Sequence, residues 1–360
     1  MSYRLAFETM SEEHVGSYAE LSRLHFTRGD NAVCLPAHLA WKHLHNPQGV
    51  STAYHLYDRD ALIGRIAYQR REFRLCGRTL RGAYLSDLLI HPQHRGMSTF
   101  LKLMRQVREA PGVDFVYTAP NSISAPLFKS VLKFQAARPM TVLAWPLRAG
   151  SLLREKLGLD NALLDSLGTA LLGLGLTLSS LGRRTLPASL RLSDEIPSDS
   201  ELDALADDIG HHDWLDGVRS ARFHNWRFHQ SPYYHYRVSY VYQDGSLVGY
   251  AATRSDEYEG YRCLFLIDLV FRPDVDRRAL RSVMHELLRR GRQEGCDLAL
   301  GFFIRRNAAL ARLCNSPLVE VPARYLPQHV DLYVEPLTGC PPLPGDLTDL
   351  YLTMADLDVF

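Results

Sequence analysis

The stretch Leu85-Ser86-Asp87-Leu88-Leu89-Ile90-His91-Pro92-Gln93-His94-Arg95-Gly96-Met97-Ser98-Thr99 decides how this chain is read. It opens as an apolar strand, which Pro92 closes by withdrawing a backbone donor. A short polar loop carrying Gly96 follows, and an amphipathic helix is predicted over Thr99–Arg108. A strand, a glycine turn and a helix start together form an anion site, because free N–H groups converge there and the helix dipole places positive charge at that end. Gly96 lets the backbone approach a ligand, and Ser98 can cap the helix or donate to a phosphate oxygen. The ligand this suits is a pyrophosphate. By itself the loop reads equally well as an ordinary strand–helix turn that contains Arg-Gly.

Working outward, the same order of landmarks occurs twice. Trp41-Lys42 is followed by Pro47, and Trp226-Arg227 by Pro232, each proline six positions after its tryptophan. Tyr57 and Tyr242 lie sixteen positions after them, and Gly64 and Gly249 twenty-three. Strands are predicted at 53–57 and 62–68, and again at 236–242 and 247–253, the second pair joined by an Asp244-Gly245 hairpin signal. Leu266-Ile267-Asp268-Leu269-Val270-Phe271-Arg272-Pro273 then mirrors the opening stretch, with Asp87 and Asp268 each five residues before a proline. A helix near 279–291, short strands at 115–118 and 298–302, and Asn121 or Asn307 complete each copy. Two copies of one α/β unit are therefore expected, over 1–147 and 201–336, with a Leu-rich helical linker at 148–200 and a tail at 337–360.

Composition sets the outer limits. The 360 residues are 46% hydrophobic, enough for two domains with buried cores. With 41 Lys+Arg against 40 Asp+Glu the net charge is +1, which removes the general attraction to phosphate backbones on which nucleic-acid binders rely. No nucleic-acid partner is expected. The six cysteines form no CxxC pair and suit a reducing compartment, and no secretory signal is read at the start, so a cytoplasmic location is expected. Ser166–Gly182 is uncharged but spans 17 residues, short of the roughly 20 that cross a bilayer. Its stripe Leu163, Leu167, Leu171, Leu174, Leu178 and Leu181 fits a packed linker helix, or a peripheral membrane contact through 163–184 ending at Arg183-Arg184. His211, His212, His224, His229, His235, His43 and His45 show no metal-ligand spacing, so no metal is expected.

In Ile90-His91-Pro92, Gln93 and Gly96, the chain resembles the GNAT superfamily of acyl-CoA-dependent N-acyltransferases, whose pyrophosphate signature is Gln/Arg-x-x-Gly-x-Gly/Ala after an apolar-x-Pro strand end. Ser98 stands where the family has Gly or Ala, and Asn121, Ser124 and Phe128 resemble its later motif. The second copy resembles the same fold with its signature eroded, since Asp274-Val275-Asp276-Arg277-Arg278-Ala279 lacks glycine and its carboxylates would repel a pyrophosphate. The resemblance implies an α/β protein of two GNAT-like domains, each a mixed, mostly antiparallel twisted sheet flanked by helices. It implies acetyl-CoA or another acyl-CoA as co-substrate, held by the main chain of Leu88, Leu89 and Ile90, by the loop Gln93, His94, Arg95, Gly96, Met97, Ser98 and Thr99, and by Asn121, Ser124 and Phe128. The reaction implied moves an acyl group to a primary amine of a small molecule or sugar.

Such a transfer needs a group to deprotonate the amine, polarisation of the thioester and a proton for the leaving thiolate. Asp87, Tyr84 and His91 are candidates for the acid–base work, with Tyr117 beside them; for Asp87 a structural role shared with Asp268 competes. The family often places a proton-donating tyrosine in the later motif, where this chain has Phe128. Some tandem members use their C-terminal carboxylate as a base, which would send the tail 347–360, with Asp349, Asp356, Asp358 and Phe360, to the first domain's cleft. The alternatives kept are an aminoacyl-tRNA-dependent Fem-type transferase, a non-catalytic CoA-binding protein, and a transferase of long acyl chains at a membrane surface.

Overall fold

The computed structural model describes residues 3–26, 31–121, 124–148, 189–210, 214–304, 318–322, 331–343 and 350–357. The first half runs β1 (Arg4–Thr9), α1 (Glu12–Arg23), α2 (Pro36–His43), β2 (Thr52–Asp58), β3 (Ala61–Leu75), β4 (Arg78–Ile90), α3 (Met97–Met104), β5 (Phe115–Thr118) and β6 (Gln135–Pro146). Local chemistry sets these boundaries. Ser11 and His14 form a capping box at the start of α1, and Pro36 occupies the first turn of α2, where its missing N–H costs nothing. The predicted helix over 99–108 ends early, at Met104, because the chain then tightens into i→i+3 bonds from Val107 to Met104 and from Glu109 to Gln106.

The second half follows the same order: β7 (Leu190–Ser193), α4 (Asp199–Ile209), β8 (Leu215–Gly217), a helical turn at Ala221–His224 continuing as a π turn at Asn225–His229, β9 (Arg237–Gln243), β10 (Ser246–Tyr258), β11 (Tyr261–Phe271), α5 (Arg277–Gln293), β12 (Leu298–Ile304), β13 (Val319–Glu320), β14 (Asp331–Pro336) and β15 (Leu350–Tyr351). Leu190–Ser193, which the sequence reading assigned to the linker, pairs antiparallel with β9. The leucine stripe at 163–181 lies outside the described residues. Among those described, no helix is long and apolar enough to cross a membrane.

The correspondence between halves extends to irregularities. Tyr57 pairs with Leu62 and Leu56 with Gly64 across one bulge; Tyr242 pairs with Leu247 and Val241 with Gly249 across another. The Asp244-Gly245 turn has φ of 50° and 84°, the left-handed pair a two-residue hairpin needs. A further bulge places Asp87 and Leu88 opposite Ile66 alone, since Arg65 pairs with Leu89 and Ala67 with Ser86. On β11 the ladder likewise skips Ile267. Asp87 adopts φ of 53° at this bulge, a strained region for a residue with a side chain.

The strands join in the order β1-β2-β3-β4-β5-β14-β6-β12-β11-β10-β9-β7. The β4–β5 and β11–β12 pairs are parallel and the remaining neighbours along this order are antiparallel. The halves exchange strands. β14, late in the chain, lies between β5 and β6, while the far end of β6 lies between β12 and β13. Helix α3 buries Phe100, Leu103 and Met104 against Leu56, Ile66 and Tyr68, and α5 buries Leu280, Met284 and Leu287 against Val248, Leu264 and Leu266. A third cluster crosses between the halves, with Phe73, Phe115 and Tyr117 alongside Phe228, Tyr250 and Phe265. In a separate small cluster with Phe223, Trp41 and Trp226 stack at 4.6 Å and 17°, and each indole N–H donates to the other's main-chain carbonyl at 3.0 Å. Their recurrence in sequence thus reflects packing across the two halves.

Candidate functional site

β4 and β5 pair only from Gly82–Tyr84 against Phe115–Tyr117 and part beyond that point. The gap is a cleft of about 290 Å³. Tyr84, Asp87, Leu88, Leu89, Asn121, Ser124 and Phe128, all singled out in the sequence, line it together. Phe26, Thr118 and Pro120 also line it and were not foreseen. The bulge takes Asp87 and Leu88 off the β3 ladder, and the Asp87 carbonyl accepts from Arg65 Nε at 3.2 Å instead. Asn121 holds the far wall, its Oδ1 accepting from the Ser124 N–H at 3.0 Å and from the Ser124 hydroxyl at 2.9 Å.

Beyond Ile90 the chain turns through a short 3-10 segment, Pro92–His94, where the His91 Nδ1 accepts from the Gln93 N–H at 3.2 Å. Gly96 is the N-cap of α3, with no side chain capping the helix; Ser98 sits within the first turn and does not cap it. The first-turn N–H groups at Met97, Ser98 and Thr99 have no intrahelical acceptors to reach. Gly96, Met97 and Ser98 are exposed, and a Cβ built on Gly96 meets nothing within 4 Å. Its φ of 170° is extended, so the glycine serves neither backbone strain nor packing here. Arg95 bonds to His25, and the Tyr3 hydroxyl and His94 Nδ1 lie at 3.1 Å.

The acid–base candidates separate by environment. The Asp87 carboxylate accepts from Lys42 Nζ at 2.8 Å and lies 2.7 Å from His43 Nε2, with Lys42 and His43 fully buried. Burial opposes ionisation of Asp87, but the charges and hydrogen bonds of Lys42, His43 and Arg65 prevail and hold its carboxyl well below the usual range. A carboxylate so stabilised is a poor base. Asp268 has a matching setting: Arg219 Nε at 3.1 Å, the Tyr250 hydroxyl at 2.9 Å and the Thr353 hydroxyl at 2.9 Å. The shared role of the two aspartates is to bind buried donors beside the bulge. Tyr117 donates to the Asp356 carbonyl at 2.9 Å and is turned away from acid–base work. Phe128 is 2% exposed and packs on Phe134 and Tyr333. Tyr84 lines the β4–β5 cleft and also a small cavity shared with the second half, alongside Trp41, Arg71, Tyr117, Trp226, Arg227 and Asp356.

The second half is built differently at the matching place. There the tail packs into the core between the halves: Leu350, Leu352, Met354 and Leu357 are buried with Phe265, Ile267 and Phe302. The Tyr351 hydroxyl donates to the Leu269 carbonyl, and Leu269 is the counterpart of Leu88. Asp356 accepts from Arg71 of the first half at 2.6 Å and from Arg219 of the second at 2.6 Å, so the tail ties both halves. It does approach the first half, as Leu357 borders the cavity that Tyr84 lines. Asp349, Asp358 and Phe360 lie outside the described residues.

No known family profile matches the sequence. No curated protein matches it in sequence. Solved structures do match in shape. A conserved protein of Enterococcus faecalis V583, described as a probable N-acyltransferase, superposes with a TM-score of 0.59 at 10% identity, over 93% of this chain and 73% of that one. A GCN5-related N-acetyltransferase from Anabaena variabilis ATCC 29413 gives 0.57 at 12% identity, over 92% and 72%. The N-myristoyltransferase of Saccharomyces cerevisiae, solved with myristoyl-CoA, gives 0.51 at 13% identity, over 92% and 82%. With its bulged fourth strand, splayed β4–β5 pair and loop-to-helix turn, the chain has the fold of the GNAT superfamily.

Proposed function

We propose that the protein is an N-acyltransferase that takes an acyl group, acetyl in the simplest case, from acyl-CoA and passes it to the primary amine of a small molecule. The observation that carries this reading is the β4–β5 cleft, whose β4 wall at Leu88 and Leu89 leads along the chain, within eight residues, to the uncapped start of α3 at Met97. A pantetheine arm lies along the β4 backbone at Leu88 and Leu89, which line the cleft, and its pyrophosphate meets the N–H groups at Met97–Thr99. The thioester then stands near Tyr84, where the cleft adjoins the cavity at the second half. The amine enters from that side. Tyr84 is the cleft-lining hydroxyl best placed to hand a proton to the departing thiolate, the task Phe128 lacks the chemistry to perform. Backbone donors at the bulge polarise the carbonyl, and alignment of two bound substrates supplies much of the rate without a covalent enzyme intermediate. The second half has filled its equivalent space with the tail and contributes walls, not a second donor site.

The test is thiol release from acetyl-CoA across a panel of primary amines: amino sugars, amino acids, polyamines and peptides. Release dependent on one amine class supports the reading. No release above the uncatalysed rate with any amine, despite bound acetyl-CoA, counts against it.

A further inference from the structure

Away from the cleft, three elements of the first half bring a carboxylate and two imidazoles together. Glu8 is on β1, His14 on α1 and His55 on β2. β1 and β2 are antiparallel with Ala6 opposite His55, so Glu8 is its diagonal neighbour on the same sheet face. His14 reaches over this face from the first turn of α1. We propose that Glu8, His14 and His55 form a binding site for a divalent transition metal, zinc by the character of its donors.

The donor set is two nitrogens and one carboxylate oxygen, a combination that zinc favours. One ligand atom from each residue lies within 4.8 Å of the others. The His14 Nε2 and Glu8 Oε2 are 3.6 Å apart, too long for a good hydrogen bond. Two bonds of about 2.1 Å at a tetrahedral angle separate their ligand atoms by about 3.4 Å, close to this spacing. His55 Nδ1 is 2.7 Å from the same oxygen and needs to open by under about 1 Å to share the ion.

Each ligand residue also has a hydrogen-bonding neighbour that fixes its side chain. The Tyr18 hydroxyl lies 2.9 Å from His55 Nε2, the Ser11 hydroxyl 2.9 Å from His14 Nδ1, and the Tyr57 hydroxyl donates to Glu8 Oε2 at 2.8 Å. His14 Nδ1 also accepts from the Ser11 N–H at 3.2 Å, so ligation through His14 Nε2 and His55 Nδ1 requires the His14 ring to give up that capping bond and donate from Nδ1 to the Ser11 hydroxyl. The His55 side chain is fully buried, while those of His14 and Glu8 are 19% and 31% exposed, so the fourth position opens to water. An ion here would clamp β1, α1 and β2. It would also fix Tyr18, whose ring lies 3.9 Å from the Arg65 guanidinium, and Arg65 Nε donates to the Asp87 carbonyl at the bulge.

The experiment uses the full, untagged chain, stripped with a chelator and titrated with Zn²⁺ against a chromophoric competitor. Wild type is expected to bind one equivalent with micromolar or tighter affinity. His14→Ala and Glu8→Gln, both at partly exposed positions, are expected to weaken it by about 100-fold or more while retaining the wild-type circular dichroism. Co²⁺ in place of Zn²⁺ should give intense tetrahedral visible bands in wild type and lose them in His14→Ala. Zn²⁺ should raise the melting temperature of wild type and not that of the variants. Binding weaker than about 100 µM, or equal affinity in wild type and His14→Ala, overturns the site.

Discussion

Asp87 shows how one residue can carry competing readings until its neighbours are known. Its place in the strand before the loop recommends it as a base, yet Lys42 and His43 hold its charge in a buried setting. Asp87→Asn removes the countercharge of a fully buried lysine, and destabilisation of about 3–5 kcal/mol is expected by denaturant unfolding. A variant as stable as wild type but without turnover would restore Asp87 as a base. Tyr84 makes the opposite prediction. Tyr84→Phe keeps the ring that packs on Tyr117 and removes only the hydroxyl. A fall in kcat on the order of 100-fold with unchanged acyl-CoA affinity is expected from steady-state kinetics and direct binding.

Among the elements, the meander and its hairpins were legible because their signals are local. Asp244-Gly245 needs only its own two dihedrals to specify a turn, and Leu62-Ile63-Gly64 and Leu247-Val248-Gly249 repeat both in sequence and in the bulges they make. The loop from Gln93 to Ser98 was legible for the same reason. The partners of Asp87 were not, since Lys42 and His43 lie more than forty residues away on α2 and their own sequence says nothing of the bulge they face. Glu8, His14 and His55 likewise have no ligand spacing in sequence and meet only through the β1–β2 register. The strand exchange was not legible because nothing local in residues 135–146 and 331–336 specifies the distant strands they pair with.

Short β8 adds a pH dependence at this scale. Burial pushes the Asp216 carboxyl up to about 7, against the pull of Arg219, and its Oδ1 has no hydrogen-bond partner. A folded-state pKa above the unfolded value means the folded form binds more protons between the two. Stability from this group is therefore full below about pH 4 and is lost as pH rises through 7, by on the order of 4 kcal/mol. Asp216→Asn should flatten the decline in melting temperature between pH 5 and pH 8. An identical decline in wild type and variant would exclude Asp216 as its source.

At the scale of the whole molecule, the two halves depend on each other. β14 completes the first half's sheet, β6 completes the second's, the paired tryptophans join them, and Asp356 bridges Arg71 and Arg219. A fragment of residues 1–148 lacks β14 and leaves the β5 edge open, so it is expected to be insoluble or unfolded alone and to form a soluble complex when coexpressed with 149–360. A well-folded isolated fragment would contradict this dependence. Among the described residues the tail packs against β11 of the second half, and the donor site proposed is the cleft bounded by Tyr84, Leu88 and Asn121.

That claim is tested most directly by calorimetric titration of acetyl-CoA into wild type and Gly96→Glu. A side chain at Gly96 meets open space and its φ suits any residue, so the variant keeps its fold while placing a carboxylate at the helix start. One equivalent bound by wild type, with affinity lost by about 100-fold or more in the variant, is the predicted result. No binding to wild type, or equal binding to both, would contradict the account.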